Sequence, residues 1–131
     1  MNEKMRILLA DDDTEFCARM SAVLDSADDF ELVGIAENGE KALSAVNELR
    51  PDVLIIELML PVMDGLEATR RIRAMKRPDA RTIPIIAMTA NAFAEDRQRA
   101  FAAGMDMHIA KPLEGSEMVE TLERFVKSSR K

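Results

Sequence analysis

The sequence predicts an α/β fold, a doubly wound parallel sheet with helices on both faces. Three observations carry this. Short apolar stretches of strand length occur five times along the chain. Each is followed by a segment with apolar residues at helical spacing. The connections between them are short, as βα units require.

The elements follow in order. Met5 to Ala10 is an apolar strand that ends in Asp11-Asp12-Asp13. A helix comes next, with Phe16, Met20, Val23 and Leu24 on one face and Cys17 at its edge. Phe30 to Ala36 is the second strand. Asn38-Gly39 turns the chain into a helix carrying Ala42, Leu43, Val46 and Leu49, closed by Pro51 because the residue before a proline disfavours helix.

Val53 to Ile56 is a continuous aliphatic run, too short for a helix, and reads as a strand buried on both faces. Glu57 stands at its carboxyl end. Pro61 bars a simple continuation, and Asp64-Gly65 opens a helix with Leu66, Thr69, Ile72 and Met75 inward. Arg77 to Thr82 is a polar loop. Ile83 to Met88 is the fourth strand, with Pro84 tolerated only at its start. An alanine-rich helix follows, with Phe93 and Phe101 eight apart and Gly104 as its stop. Met107 to Ala110 is a short fifth strand before Lys111-Pro112, and the last helix aligns Met118, Leu122, Phe125 and Val126.

The chain has 131 residues, 47% hydrophobic and 32% charged, which fits one globular domain over residues 1–131 with a core of about 5–126. Residues 127–131, with Lys127, Arg130 and Lys131, read as a tail or a linker. No apolar run has membrane-spanning length, and Asn2-Glu3-Lys4 is not the start of a signal peptide. The single cysteine, Cys17, excludes an internal disulfide and fits a reducing, cytoplasmic setting; it reads as a buried structural thiol. A formal net charge of −6 argues against nucleic-acid binding by this domain alone. The ten methionines read as gap-filling core residues.

In an open parallel sheet, ligands bind outside the carboxyl ends of the strands. Four of the five strands end there in a distinctive polar residue: Asp11 and Asp12, then Glu57, Thr89 and Lys111. Clustered carboxylates repel unless a cation joins them, and carboxylate oxygens suit a hard ion such as Mg²⁺. A lysine and a hydroxyl facing that ion suit phosphoryl oxygens. A nucleotide site of the flavodoxin type is disfavoured, since Asp11 to Asp13 repel a phosphate that such a loop would have to cradle.

These residues, together with Leu60-Pro61-Val62-Met63-Asp64-Gly65, Met88-Thr89-Ala90 and Lys111-Pro112, resemble the receiver domain of a two-component response regulator or hybrid histidine kinase. The resemblance covers essentially the whole chain. It implies a flavodoxin-like receiver fold with five strands in the order 2-1-3-4-5. It implies Mg²⁺ held by Asp11, Asp12, position 57 and the backbone carbonyl of Met59, with Thr89 and Lys111 on the phosphoryl oxygens and a cis bond at Lys111-Pro112. It implies a histidine kinase or histidine phosphotransfer protein as donor, and a partner or second copy on the face of helix 4, strand 5 and helix 5. It implies a signalling switch and not an enzyme. The stretch from Ile83 to Pro112 resembles receivers of hybrid kinases more than stand-alone chemotaxis receivers, and no output domain is expected after Val126, so the chain reads as a stand-alone regulator or an excised receiver.

One departure stands out: the family's phosphoryl acceptor is an aspartate, and position 57 is glutamate. Its carboxylate lies one carbon–carbon bond, roughly 1.5 Å, further out. Loss of phosphoryl acceptance is expected, along with weaker Mg²⁺ binding. Two origins stand open: an introduced substitution that imitates the phosphorylated state, or a natural receiver that does not use phosphorylation. His108, where such receivers often carry an aromatic switch residue, reads as a switch with a pH response near neutrality or as a histidine without that role. Phe93, Ala100 and Phe101 divide between a partner surface and core packing. Two other functions compete: a docking or dimerisation module with a vestigial pocket, and a Mg²⁺-dependent phosphatase or phosphotransferase. The short connections and the missing aspartate count against the latter.

Overall fold

A computed structural model describes residues 4–89, 94–111 and 115–129 of the chain. Five strands alternate with five helices: β1 (Met5–Ala10), α1 (Thr14–Ser26), β2 (Phe30–Ala36), α2 (Gly39–Leu49), β3 (Val53–Glu57), α3 (Gly65–Arg73), β4 (Ile85–Thr89), α4 (Ala94–Ala103), β5 (Met107–Ala110) and α5 (Gly115–Ser129). The strands form one sheet in the order β2-β1-β3-β4-β5, with every neighbouring pair parallel. This is the doubly wound order that the resemblance implies. The reversal between β1 and β3 is the topological switch point where such sheets place their ligands.

The two faces are filled by alternate residues of the same strands, as the pleat requires. Ile7, Leu9, Val53, Ile55, Ile86 and Met88 point to one side and meet α1 and α5 through Phe16, Met20, Leu24, Met118 and Leu122. Leu8, Ala10, Leu54, Ile56, Ile85 and Ala87 point to the other and meet α2, α3 and α4 through Ala42, Val46, Leu66, Ile72 and Ala100. All five residues of β3 are buried, as the continuous aliphatic run predicts. Full burial of each large aliphatic side chain contributes about 1.5–3 kcal/mol. Strands β2 and β5 are the edge strands and are buried only in part.

The helices begin at side-chain caps. Asp13, Asn38 and Asp64 each accept a hydrogen bond from the backbone N–H three residues on, at 3.0, 2.8 and 2.8 Å. Gly104 follows α4 with φ of +109°, a conformation that favours glycine. Behind α3, the Arg73 guanidinium donates to the carbonyls of Gly104, Ala80 and Ile83 at 2.9, 3.1 and 2.7 Å, and to Asp106 Oδ2 at 2.9 Å. Asp106 Oδ2 also accepts from the N–H of Ile85 at 2.9 Å, so one half-buried arginine helps fix where β4 starts.

Some local expectations need correction. The fourth strand starts at Ile85 and not Ile83: Pro84 has no N–H to give, and only its carbonyl joins the ladder, accepting from Leu54 at 2.9 Å. Met75 lies beyond α3, which ends at the Ala74 cap, yet it still packs against the α2–α4 core. Val23, Leu43 and Leu49 are half-buried and not fully inside. Ala100 is wholly buried and belongs to the core, whereas Phe101 is 48% exposed. Phe93, Pro112 with its expected cis bond, and the side chains of Phe125 and Val126 lie outside the described residues.

Candidate functional site

The carboxyl ends of β1, β3, β4 and β5 meet at one edge of the sheet. Asp11 follows β1 and is buried; its N–H donates to Ala36 O at 2.9 Å, which ties it to the end of β2. Glu57 ends β3, pairs in register with Met88 and is 7% exposed. Thr89 ends β4, buried, and its carbonyl accepts from the N–H of Lys111 at 2.8 Å. Three of the expected site residues are thereby drawn together: Asp11, Glu57 and Lys111. Asp12 is exposed beside them, and Met59 is 73% exposed in the loop after β3.

The lysine chooses between two carboxylates. Lys111 Nζ lies 2.6 Å from Asp11 Oδ2 and 3.8 Å from Glu57 Oε2. At an effective dielectric of about 20, the attraction falls from roughly 6 kcal/mol at the shorter distance to roughly 4 at the longer. The ammonium therefore belongs to Asp11. Glu57 Oε2 and Asp11 Oδ2 are both buried without a well-formed hydrogen bond, so each rests on its ion pair with Lys111, the shorter one at Asp11. The Met59 N–H donates to the Glu57 carboxylate, which anchors the loop to the acid.

Burial is the largest influence on Glu57 and pushes its pKa up to about 7. Lys111 and the Met59 N–H pull it down, while Asp11 and Asp12 add to the rise. Between the ordinary value of 4.5 and about 7, the folded chain holds a proton that the unfolded chain has lost. Stability falls as pH rises through this window, and the whole cost is present above it. In metal-free buffer, Glu57→Gln should therefore gain about 2–3 kcal/mol on the parent chain between pH 4.5 and 8. Urea unfolding with a chelator present measures this; a difference that stays flat across the window contradicts it.

The donor set is all oxygen, and a buried carboxylate oxygen without a hydrogen bond faces the cluster, so the chemistry fits a hard divalent ion. The arrangement is not that of a finished metal cage. Among the described residues, no three carboxylate, imidazole or thiol groups converge on one point, and Lys111 supplies the counter-charge. An open cleft of about 460 Å³ extends from the cluster between α1 and the start of α2, lined by Asp11, Asp12, Cys17, Ile35, Glu37 and Lys41. Cys17 is buried, donates to Asp11 O at 3.5 Å, and burial pushes its thiol up to about 11, which suits the structural reading.

His108 lies on β5, half-buried, with Nε2 hidden and without a hydrogen-bond partner. Burial lowers its pKa first and Arg97 lowers it further, against the pull of Asp96. The expected response near neutrality is thus displaced to the acid side of an ordinary imidazole. Two participants were not singled out as site residues in the sequence: Asp13, read there only as part of the acidic run after β1, and Phe16, read only as a core position.

Comparison with known proteins agrees with this fold. The response regulator receiver domain pattern matches residues 7–123. Histidine kinase 5 of Arabidopsis thaliana is 34% identical over 117 residues, 70% of this chain and 13% of the kinase. A DNA-binding response regulator of Mycolicibacterium paratuberculosis, MtrA, is 35% identical over 116 residues, 88% of this chain and 48% of that protein. The chain thus spans less than half the length of these two relatives. Among solved structures, the receiver domain of the sensor histidine kinase PA1611 from Pseudomonas aeruginosa superposes with a TM-score of 0.84 at 34% identity, covering 95% of this chain and 99% of that one. That structure holds a magnesium ion in its active site cleft.

Proposed function

The chain belongs to the response regulator receiver domain family, and from that premise we propose that it is a two-component signalling switch whose input site does not accept a phosphoryl group. The observation that carries this reading is the placement of Lys111, on Asp11 at 2.6 Å and not on Glu57 at 3.8 Å. The longer acid occupies the space beside the lysine without replacing what a phosphoryl oxygen would do there. The site is silent, and the protein rests in an unstimulated conformation.

Asp11, Asp12, Glu57 and the Met59 carbonyl would hold Mg²⁺, weakened by the displaced Glu57 carboxylate. When bound, the ion neutralises the acidic cluster and screens an incoming phosphoryl group. Lys111 and Thr89 would contact phosphoryl oxygens, and Thr89 and His108 would relay occupancy to the face of α4, β5 and α5. Phe101, exposed on α4, fits a partner surface there. The donor would be a histidine kinase or a histidine phosphotransfer protein. No described helix is long and apolar enough to cross a membrane. A cytoplasmic setting, no nucleic-acid contact by this domain alone and no catalytic turnover complete the proposal.

Amide NMR spectra test the silent state. The parent chain is compared with Glu57→Asp, alone and with Mg²⁺ and beryllium fluoride, a phosphoryl analogue. The expected result is that parent resonances over α4, β5 and α5 coincide with those of Glu57→Asp alone. If they coincide with the analogue-bound form, Glu57 imitates phosphorylation and the silent reading is lost.

A further inference from the structure

The lysine of the cluster is held from a side that the acidic residues do not supply. Lys111 Nζ stands 4.3 Å from the centroid of the Phe16 ring. Phe16 is 2% exposed and the Lys111 side chain 13%, so the contact is largely removed from water. A ring face attracts an ammonium most strongly when both are desolvated.

Four contacts close on themselves. Asp11 Oδ1 accepts from the Asp13 N–H at 2.9 Å. Asp13 Oδ1 accepts from the Phe16 N–H at 3.0 Å. The Phe16 ring faces Lys111 Nζ, and Lys111 Nζ returns to Asp11 Oδ2 at 2.6 Å. The first turn of α1 therefore fixes both partners of the ammonium: the carboxylate through Asp13, and the ring through its own helical position. An aliphatic residue at position 16 would keep the core apolar but leave that flank of the ammonium without attraction.

We propose that Phe16 is a positioning residue, whose ring face holds the Lys111 ammonium on Asp11 and away from Glu57. The geometry stands without any ligand; its consequence rests on the reading of this cluster as the receiver input site. There, the ring strengthens the lysine as resident counter-ion, and a divalent ion must displace it from Asp11.

Two replacements separate attraction from filling. Phe16→Leu removes the ring. Site-specific 3,4,5-trifluorophenylalanine at position 16 keeps the shape and drains the electron density of the face. In metal-free buffer, the parent chain should show a resolved ammonium signal for Lys111 in nitrogen-15 spectra, with its neighbouring methylene shifted upfield by the ring. Both replacements should broaden the ammonium signal away, while the fluorinated chain keeps the parent melting temperature. Titration with Mg²⁺ should then show binding about fivefold tighter in both, the size of a partly desolvated cation–π contact. A fluorinated chain with the parent's ammonium signal makes Phe16 a filler and overturns the proposal, as does a parent chain with no such signal. If Mg²⁺ binds to none of the three, the receiver-site reading of the cluster fails, and the ammonium signal still decides the role of Phe16.

Discussion

Incubated with Mg²⁺ and acetyl phosphate, the Glu57→Asp chain is expected to gain one phosphoryl mass and the parent chain none. Two handicaps act on Glu57, and their sizes can be compared. With a pKa of about 7, the carboxylate is about half protonated at neutral pH, which costs only about twofold in nucleophile. Displacement by one carbon–carbon bond, roughly 1.5 Å, moves the attacking oxygen out of line, and misplacement of about 1 Å can cost on the order of 10²-fold. Geometry and not protonation is therefore the bar, and raising the pH should not rescue the parent. Shortening the side chain also withdraws its oxygens from beside Lys111 and opens room for a phosphoryl group. Intact mass reads the result directly. Labelling of the parent chain would show that one methylene does not disable transfer. Labelling of neither would mean that the site is degenerate beyond position 57, and the docking-module reading would take its place.

The second large effect is steric. Gly39 and Gly65 are the first residues of α2 and α3, and both touch the backbone of the β3–α3 region. A Cβ at Gly39 would sit 1.9 Å from Met63 O, and one at Gly65 would sit 2.3 Å from Glu57 O. Helix propensity alone predicts that alanine helps at either position, by up to about 1 kcal/mol. The contacts decide the other way, because a carbonyl of the main chain cannot turn aside as a side chain can. Each of Gly39→Ala and Gly65→Ala should destabilise by about 2–3 kcal/mol, the range of overpacked interiors, and lower the melting temperature by roughly 10 °C. Gly34→Ala is the internal control. Its Cβ would meet Leu49 Cδ1 at 2.8 Å, the end of a flexible side chain, so the loss should be smaller. Equal melting temperatures for all three would show that the loop after β3 yields freely.

The fold was legible because it rests on periodicity. The aliphatic run of β3 announced a doubly buried strand, and Asn38 and Asp64 announced helix starts, since these signals are local. The strand-end residues were legible for the same reason, because a parallel sheet gathers its carboxyl ends on one edge. What the sequence did not carry was the choice made within that edge. Nothing in the spacing of Asp11, Glu57 and Lys111 says that the ammonium sits closer to the first than to the second. Phe16 has the helical spacing of a core residue, and its ring face toward Lys111 depends on packing between segments 95 positions apart. The end of α3 before Met75 was equally hidden, because the cap at Ala74 has no distinctive residue.

The loop after β3 holds one conformation at odds with its own sequence. Val62 has φ of +69° and is 75% exposed, and the Met63 N–H donates across it to Pro61 O at 2.7 Å. This is a tight three-residue γ-turn of the rare, strained kind. A β-branched residue in that region costs about 1–3 kcal/mol, which no contact of an exposed side chain returns. Left to itself, the segment from Pro61 to Met63 prefers an extended chain. The turn exists because its two ends are already anchored, by Met63 against Gly39 and by Gly65 against the end of β3. It therefore cannot seed the structure around it. The expected order of folding puts β3 and the start of α2 first and the loop that borders the site last.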